Sequence, residues 1–203
     1  PNLQVAEALL ARDPEGVVVS VSVEICSATF EMDNDLSLIL SNALFGDGAA
    51  AAVLRTRPEG LEIVCSGGRY APEHREAIRF VHKEGRLRNQ LSLRLPDLVA
   101  ETAAEVSSDI LESASLDSDR VSHWALHTGG EKIINAVRDR IGIPEDKLWA
   151  TRKVLAEYGN MSSPTVWFVL DDLLKRGMAS GETCFMLAYG AGLSAHGALL
   201  RKQ

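Results

Sequence analysis

From residue 61 onward the chain alternates short apolar runs with longer segments of helical period. That alternation restricts it to a layered α/β architecture, because each apolar face must be buried against a neighbouring layer. Residues 61–66 (LEIVCS), 121–126 (VSHWAL), 183–189 (TCFMLAY) and 193–200 (LSAHGALL) read as strands. Residues 95–113 form the longest helix, with Pro96 in its first turn and Leu98, Val106, Ile110 and Leu111 on one face. Residues 130–141 and a short segment opening at Pro144 are further helices. Ser163 and Pro164 predict an N-cap and first-turn proline for a helix ending at Arg176, with Val166, Val169, Leu170, Leu173 and Leu174 as its buried stripe. Asp171–Lys175 and Asp172–Arg176 stand at i,i+4 on its outer side. The order predicts a mainly parallel sheet with an antiparallel final pair. Residues 69–89 are charged and poorly periodic, and read as a surface excursion.

The first 57 residues look like the back half of a similar unit. A helix over 3–10 stops at Asp13-Pro14-Glu15-Gly16, and residues 17–23 (VVVSVSV) read as a buried strand. A helix over 36–44 leads through Phe45-Gly46-Asp47-Gly48 into a small-residue strand at 49–54, whose short side chains imply a closely packed backbone. The polar stretch 55–60, with Pro58, is the internal boundary, dividing the chain into 1–57 and 58–203.

Composition narrows the function. The 203 residues carry 21 Lys and Arg against 28 Asp and Glu, a net charge of −7, with no basic block, which argues against nucleic acid or an anionic membrane surface as partner. No apolar run reaches the roughly 18 residues a membrane helix needs. The three cysteines, Cys26, Cys65 and Cys184, form no CxxC pair and fit a reduced, cytoplasmic setting. A chain opening at Pro1, with neither Met nor signal peptide, is expected to be a piece of a longer or split protein.

Phosphate-loop, dinucleotide, serine-hydrolase and zincin motifs are absent. His123 and His127 lie on one strand, where four residues span roughly 13 Å, too far to share a metal. Two segments carry chemistry: His127-Thr128-Gly129-Gly130, a histidine at a strand end followed by two glycines, and Tyr158-Gly159-Asn160-Met161-Ser162-Ser163-Pro164, a polar turn between helices. Strand ends of α/β sheets are where ligands sit. On these residues alone His127 reads also as a core histidine, Asn160 as a turn residue, and the glycines as tight packing.

Taken in order and spacing, residues 17–23, 44–50 (LFGDGAA), 127–130 (HTGG), 157–163 (EYGNMSS) and 189–193 (YGAGL) resemble the C-terminal part of chalcone/stilbene synthase-like enzymes, the type III polyketide synthases of the thiolase fold. The resemblance covers essentially the whole chain and is weakest over 69–89. It implies a layered α-β-α-β-α fold, of which this chain would supply the C-terminal half and the tail of the N-terminal half. It also implies acyl-CoA and malonyl-CoA as substrates with no metal or organic cofactor, a homodimer, and the missing N-terminal half as partner. His127 and Asn160 match the family's catalytic histidine and asparagine, and Phe45 its gatekeeper. Cys26 and Thr29 fall among cavity-lining positions, with Gly129, Gly130 and Ser162 as further substrate-binding positions.

The chemistry suits these residue types. Loss of CO2 from a malonyl thioester leaves an enolate, whose oxygen is stabilised by donors placed beforehand in a dry site; an imidazole and an amide supply them. The same imidazole can activate a thiol toward an acyl thioester. None of the three cysteines matches the family nucleophile, which is expected upstream of Pro1. HTGG in place of HPGG, and YGAGL in place of GFGPGL, point to the bacterial-type branch. The alternatives are a β-ketoacyl carrier-protein synthase of the initiating kind and a non-catalytic thiolase-fold partner subunit.

Overall fold

The computed structural model describes residues 1–30, 36–83 and 85–203. Helix α1 (Asn2–Arg12) leads into β1 (Val18–Glu24), and after a 3₁₀ turn (Cys26–Thr29) α2 (Leu36–Leu44) delivers the chain to β2 (Gly48–Leu54). β1 and β2 pair antiparallel from Val18↔Leu54 to Glu24↔Gly48. The remainder runs β3 (Leu61–Tyr70), β4 (Ile78–Lys83), β5 (Arg86–Leu91), α3 (Leu95–Ser113), β6 (His123–Leu126), α4 (Glu131–Ile141), α5 (Trp149–Tyr158), α6 (Thr165–Arg176), β7 (Thr183–Gly190) and β8 (Ser194–Lys202).

The main sheet has the order β3-β8-β7-β6. Strand alternation sorts its side chains onto two faces. Trp124, Leu126, Phe185, Leu187 and Leu199 join α3 and α4 in one core. Ala125, Cys184, Met186, Ala198 and Leu200 join α5 and α6 in the other. Helix α6 contacts both the main sheet and β2, so the layers run α3–α4, main sheet, α5–α6, β1–β2. These are four successive layers of the expected α-β-α-β-α order.

Five local expectations are corrected. Among the described strands only β6–β7 pairs parallel. β8 is antiparallel to both β3 and β7, so although β3, β7 and β6 point the same way, the inserted return strand makes most pairings antiparallel. The charged stretch 69–89 is not a plain excursion: β3 continues to Tyr70, and β4 and β5 form an antiparallel hairpin. Strand β1 is not buried as read, since Val19, Val21 and Val23 are 57, 56 and 57 % exposed while Ser20 and Ser22 point inward. At α6, the Ser163 hydroxyl donates to Glu24 Oε1 at 2.7 Å instead of capping the helix, whose first turn is closed by Thr165 N–H on the Ser162 carbonyl. Of the two i,i+4 pairs, Asp171–Lys175 forms, whereas Asp172 meets Lys153 of α5 at 3.1 Å and Arg176 lies over the Trp149 ring.

Candidate active site

Past the end of β6 the backbone keeps its pairing: His127 N–H donates to the Leu187 carbonyl at 2.8 Å, which sets His127 opposite Ala188 of β7. Trp124, Ala125 and Leu126 are wholly buried, so the strand carries the histidine from the core directly to the site. His127 is 8 % exposed and its ring packs edge-on against Tyr189, with centroids 5.1 Å apart. Tyr189 Oη donates to the His127 carbonyl at 2.5 Å, and burial pushes the Tyr189 pKa well above its ordinary value. Desolvation pushes the His127 pKa down to about 4, so the ring is neutral at pH 7 with one donor and one acceptor nitrogen. No described residue hydrogen-bonds either ring nitrogen. The ring opens on a cavity of about 390 Å³ whose wall includes Ser66, Ser162, Tyr189, His196 and residues 1–4.

After His127 the chain turns through Gly129 and Gly130, at φ of 50° and 125°. A Cβ on Gly129 would lie 2.8 Å from the Tyr189 ring, so the turn and the ring exclude any larger residue there. Gly130 faces the Leu44 side chain.

Leu44 also anchors the second motif. Its carbonyl accepts from Asn160 N–H at 2.8 Å, and the Asn160 carbonyl accepts from Gly46 N–H at 3.0 Å, which bridges Phe45 to Asn160. The backbones approach so closely that a Cβ on Gly159 would lie 2.5 Å from the Leu44 oxygen. Asn160 is 4 % exposed, and its Oδ1 accepts from Ser162 N–H at 2.8 Å. That bond commits the carbonyl end of the side chain and leaves its NH2 as the available donor. Ser162, at φ 59°, carries the turn onto the cavity wall, whereas Asn160 itself is not among the residues that line it.

The structure thus brings Gly130, Phe45 and Asn160 against Leu44, Gly129 against Tyr189, and His127 and Ser162 onto one cavity wall. Cys26 and Thr29 lie apart, on the 3₁₀ turn after β1, and neither lines the His127 cavity. Cys26 is half-buried, and burial together with the carboxylates of Glu24 and Asp47 pushes its pKa up. Cys184 is buried and pushed up to about 12, and Cys65 Sγ donates to the Ile110 carbonyl at 3.4 Å. Neither Cys26 nor Cys184 is held as a thiolate. Among the described residues no cluster of three metal-ligating side chains exists, and His123 bonds Glu182 at 2.8 Å.

Three contributors were not singled out from sequence. Tyr189 orients the strand end at His127. Asp47 holds the 3₁₀ turn by accepting from Ser27 N–H at 2.8 Å and Ser27 Oγ at 2.6 Å, and an acidic residue between two glycines was the available signal. His196 shares the cavity with His127 only through strand pairing, for which no local signal exists.

A family model for the chalcone and stilbene synthases, C-terminal domain, matches residues 62–203. The 3,5-dihydroxyphenylacetyl-CoA synthase of Streptomyces toyocaensis is 31% identical over 98% of this chain and 54% of its own length. Among solved structures, PKS-I from the brown alga Ectocarpus siliculosus superposes with a TM-score of 0.91 at 30% identity, over 100% of this chain and 57% of that one. The 1,3,6,8-tetrahydroxynaphthalene synthase of Streptomyces coelicolor A3(2), a bacterial type III polyketide synthase, superposes with a TM-score of 0.92 at 25% identity, over 100% of this chain and 59% of that one. The chain spans little more than half the length of these relatives. With the layered fold, the paired HTGG and YGNMSS turns and the match over residues 62–203, the chain belongs to the chalcone and stilbene synthase family, the type III polyketide synthases.

Proposed function

We propose that this chain is the carboxy-terminal, His- and Asn-bearing part of a malonyl-CoA-dependent acyltransferase that extends a CoA-bound starter by decarboxylative Claisen condensation. The observation that carries the reading is the clasp at Leu44, which holds the Asn160 turn, its NH2 uncommitted, on the segment that packs against Gly130 of the turn following a buried, neutral His127. A thiolate would attack the starter thioester, forming a new thioester and releasing CoA. Malonyl-CoA would then lose CO2, its electron pair passing into an enolate whose oxygen accepts from the His127 N–H and Asn160 Nδ2. The enolate carbon would attack the enzyme-bound acyl carbon, and the thiolate would leave as the chain moves to CoA. Neutral His127 can also take the thiol proton before the first attack.

The thiol would come from a segment preceding Pro1. Residues 1–4 line the same cavity as His127, which supports delivery of a nucleophile from that side. Residues 1–57 would be the tail of the N-terminal thiolase-like half and 58–203 the C-terminal half, working in a homodimer. A second hollow of about 1520 Å³ between β2, the 55–60 linker and α6 holds neither His127 nor Asn160, and the exposed valines of β1 lie on the same ribbon; both suit a missing half as covering partner. Phe45 would gate the site, Cys26 and Thr29, which lie off the His127 cavity, would border the product's space beyond it, and Gly129, Gly130 and Ser162 would shape the wall. CoA thioesters and three free cysteines suit the cytoplasm, and among the described residues no helix is long and apolar enough to cross a membrane. The family match over residues 62–203 favours this reading over a carrier-protein-dependent synthase, so that alternative is not adopted.

The test is malonyl-CoA decarboxylation by the complete enzyme carrying His127→Ala or Asn160→Ala. Each is expected to fall about 10²-fold or more. Wild-type rates in both would sink the mechanism.

A further inference from the structure

A second imidazole faces the cavity that His127 opens on. His196 lies on β8 opposite Ala188 of β7, and Ala188 in turn lies opposite His127. The three residues form one cross-strand row, which puts the two histidines about two strand spacings, roughly 10 Å, apart. The residue between them is alanine, so a slot lies over the sheet with an imidazole on each side.

The far side of His196 is closed. Its Nδ1 and Cε1 edge lies against Gly68 of β3, where an added Cβ would sit 2.3 Å from Nδ1. Tyr70 meets the ring edge-on at 5.3 Å. Nδ1 is buried and has no hydrogen-bond partner. An orphaned buried N–H is rarer than an unsatisfied acceptor, so the lone pair belongs on Nδ1 and the proton on Nε2. Nε2 is not among the fully buried atoms and bonds no protein group, which leaves it on the cavity side. Desolvation pushes the ring's pKa down, so it meets a ligand as a neutral donor.

Resting on the malonyl-CoA-dependent reading above, we propose that His196 is a specificity-determining residue of this cavity, its Nε2–H donating to a ketone oxygen of the β-ketoacyl chain as it is extended. His127 would serve the reacting thioester, and His196 a carbonyl further along the chain. The second donor would hold the growing chain extended across Ala188 and favour another extension over early release.

The test uses the complete enzyme with malonyl-CoA. His196→Phe keeps an aromatic ring but removes the donor, and is expected to lower the ratio of full-length to prematurely released product about tenfold, the scale of one lost hydrogen bond. His196→Gln keeps an N–H and is expected to restore that ratio to within about threefold of wild type. An unchanged product ratio in His196→Phe overturns the proposal. Nitrogen-15 NMR of histidine-labelled wild-type protein reads the same claim without a variant. The expected result is an Nε2–H tautomer at His196 that shifts on adding acetoacetyl-CoA; an Nδ1–H tautomer, or no shift, overturns it. A wild-type enzyme that leaves malonyl-CoA untouched would instead overturn the functional reading, while the tautomer result would still stand.

Discussion

Strands β1 and β7 carry similar apolar runs and end in opposite environments. On β7, Thr183 to Leu187 are buried without interruption, because a strand lies on each side and helices cover both faces. On β1 the pattern alternates: Val19, Val21 and Val23 stand exposed, while Ser20 and Ser22 face the α1–α6 layer. β1 has one strand neighbour, and nothing among the described residues covers its valine face. A β-branched run therefore specifies a strand, but how many of its faces are buried depends on the layers around it. The C-terminal unit contains its layers. The ribbon of β1 and β2 leaves its valine face open among the described residues.

The sharpest way to break that contrast is to truncate one large side chain in each region. Phe185 is wholly buried and stacks 5.0 Å from Trp124, so Phe185→Ala should cost about 3–5 kcal/mol in urea denaturation. Val21→Ala should change the stability of the 203-residue chain by less than about 0.5 kcal/mol. In the longer protein, with β1 covered, the same change should cost about 1–2 kcal/mol. Equal costs for Val21→Ala in both would show that the valine face has no partner.

A pH series sharpens the contrast at the site itself. Folding holds His127 neutral down to about pH 4, whereas the unfolded imidazole takes up a proton near its ordinary 6.5. Between those values the unfolded state binds more protons, so this contribution to stability is lost as pH falls through the window. From pH 7.5 to 5 the loss should be about 2 kcal/mol larger in wild type than in His127→Gln, measured by denaturant midpoints. Equal losses would mean that the ring is not desolvated. The β1 face has no such buried histidine, and Val21→Ala should leave the pH profile alone.

The smallest effect belongs to the outer face of α6. Lys175 and Asp171 pair at 2.5 Å but both side chains are mostly exposed. Asp171→Asn should leave the denaturation midpoint where it is. A measurable loss would show that this helix face is covered in the assembled protein, as the valine face of β1 is expected to be.

Much of the candidate site was legible because its signals are local. A histidine at the end of an apolar strand, the two glycines after it and an Asn-bearing turn before a helix each follow from a few adjacent residues. Correspondingly, the positive φ of Gly129, Gly130 and Ser162 appears within the motifs that drew attention to them. The hairpin of β4 and β5 was missed because its alternation is interrupted by charge, although Gly85, at φ 76°, marked a turn between two short runs.

By itself the sequence determined the elements, their order and the chemistry the two turns can carry, since these depend on backbone preference and side-chain type over a few residues. The tertiary structure decided what depends on distant partners. It set β8 between β3 and β7, which a strand's composition cannot choose because any apolar edge would satisfy its own hydrogen bonds. That choice of neighbours aligned His196, Ala188 and His127 in one row. It also sent Ser163 to Glu24 and Asp172 to Lys153, because a side chain takes the strongest partner within reach, and reach is defined only once the layers have packed.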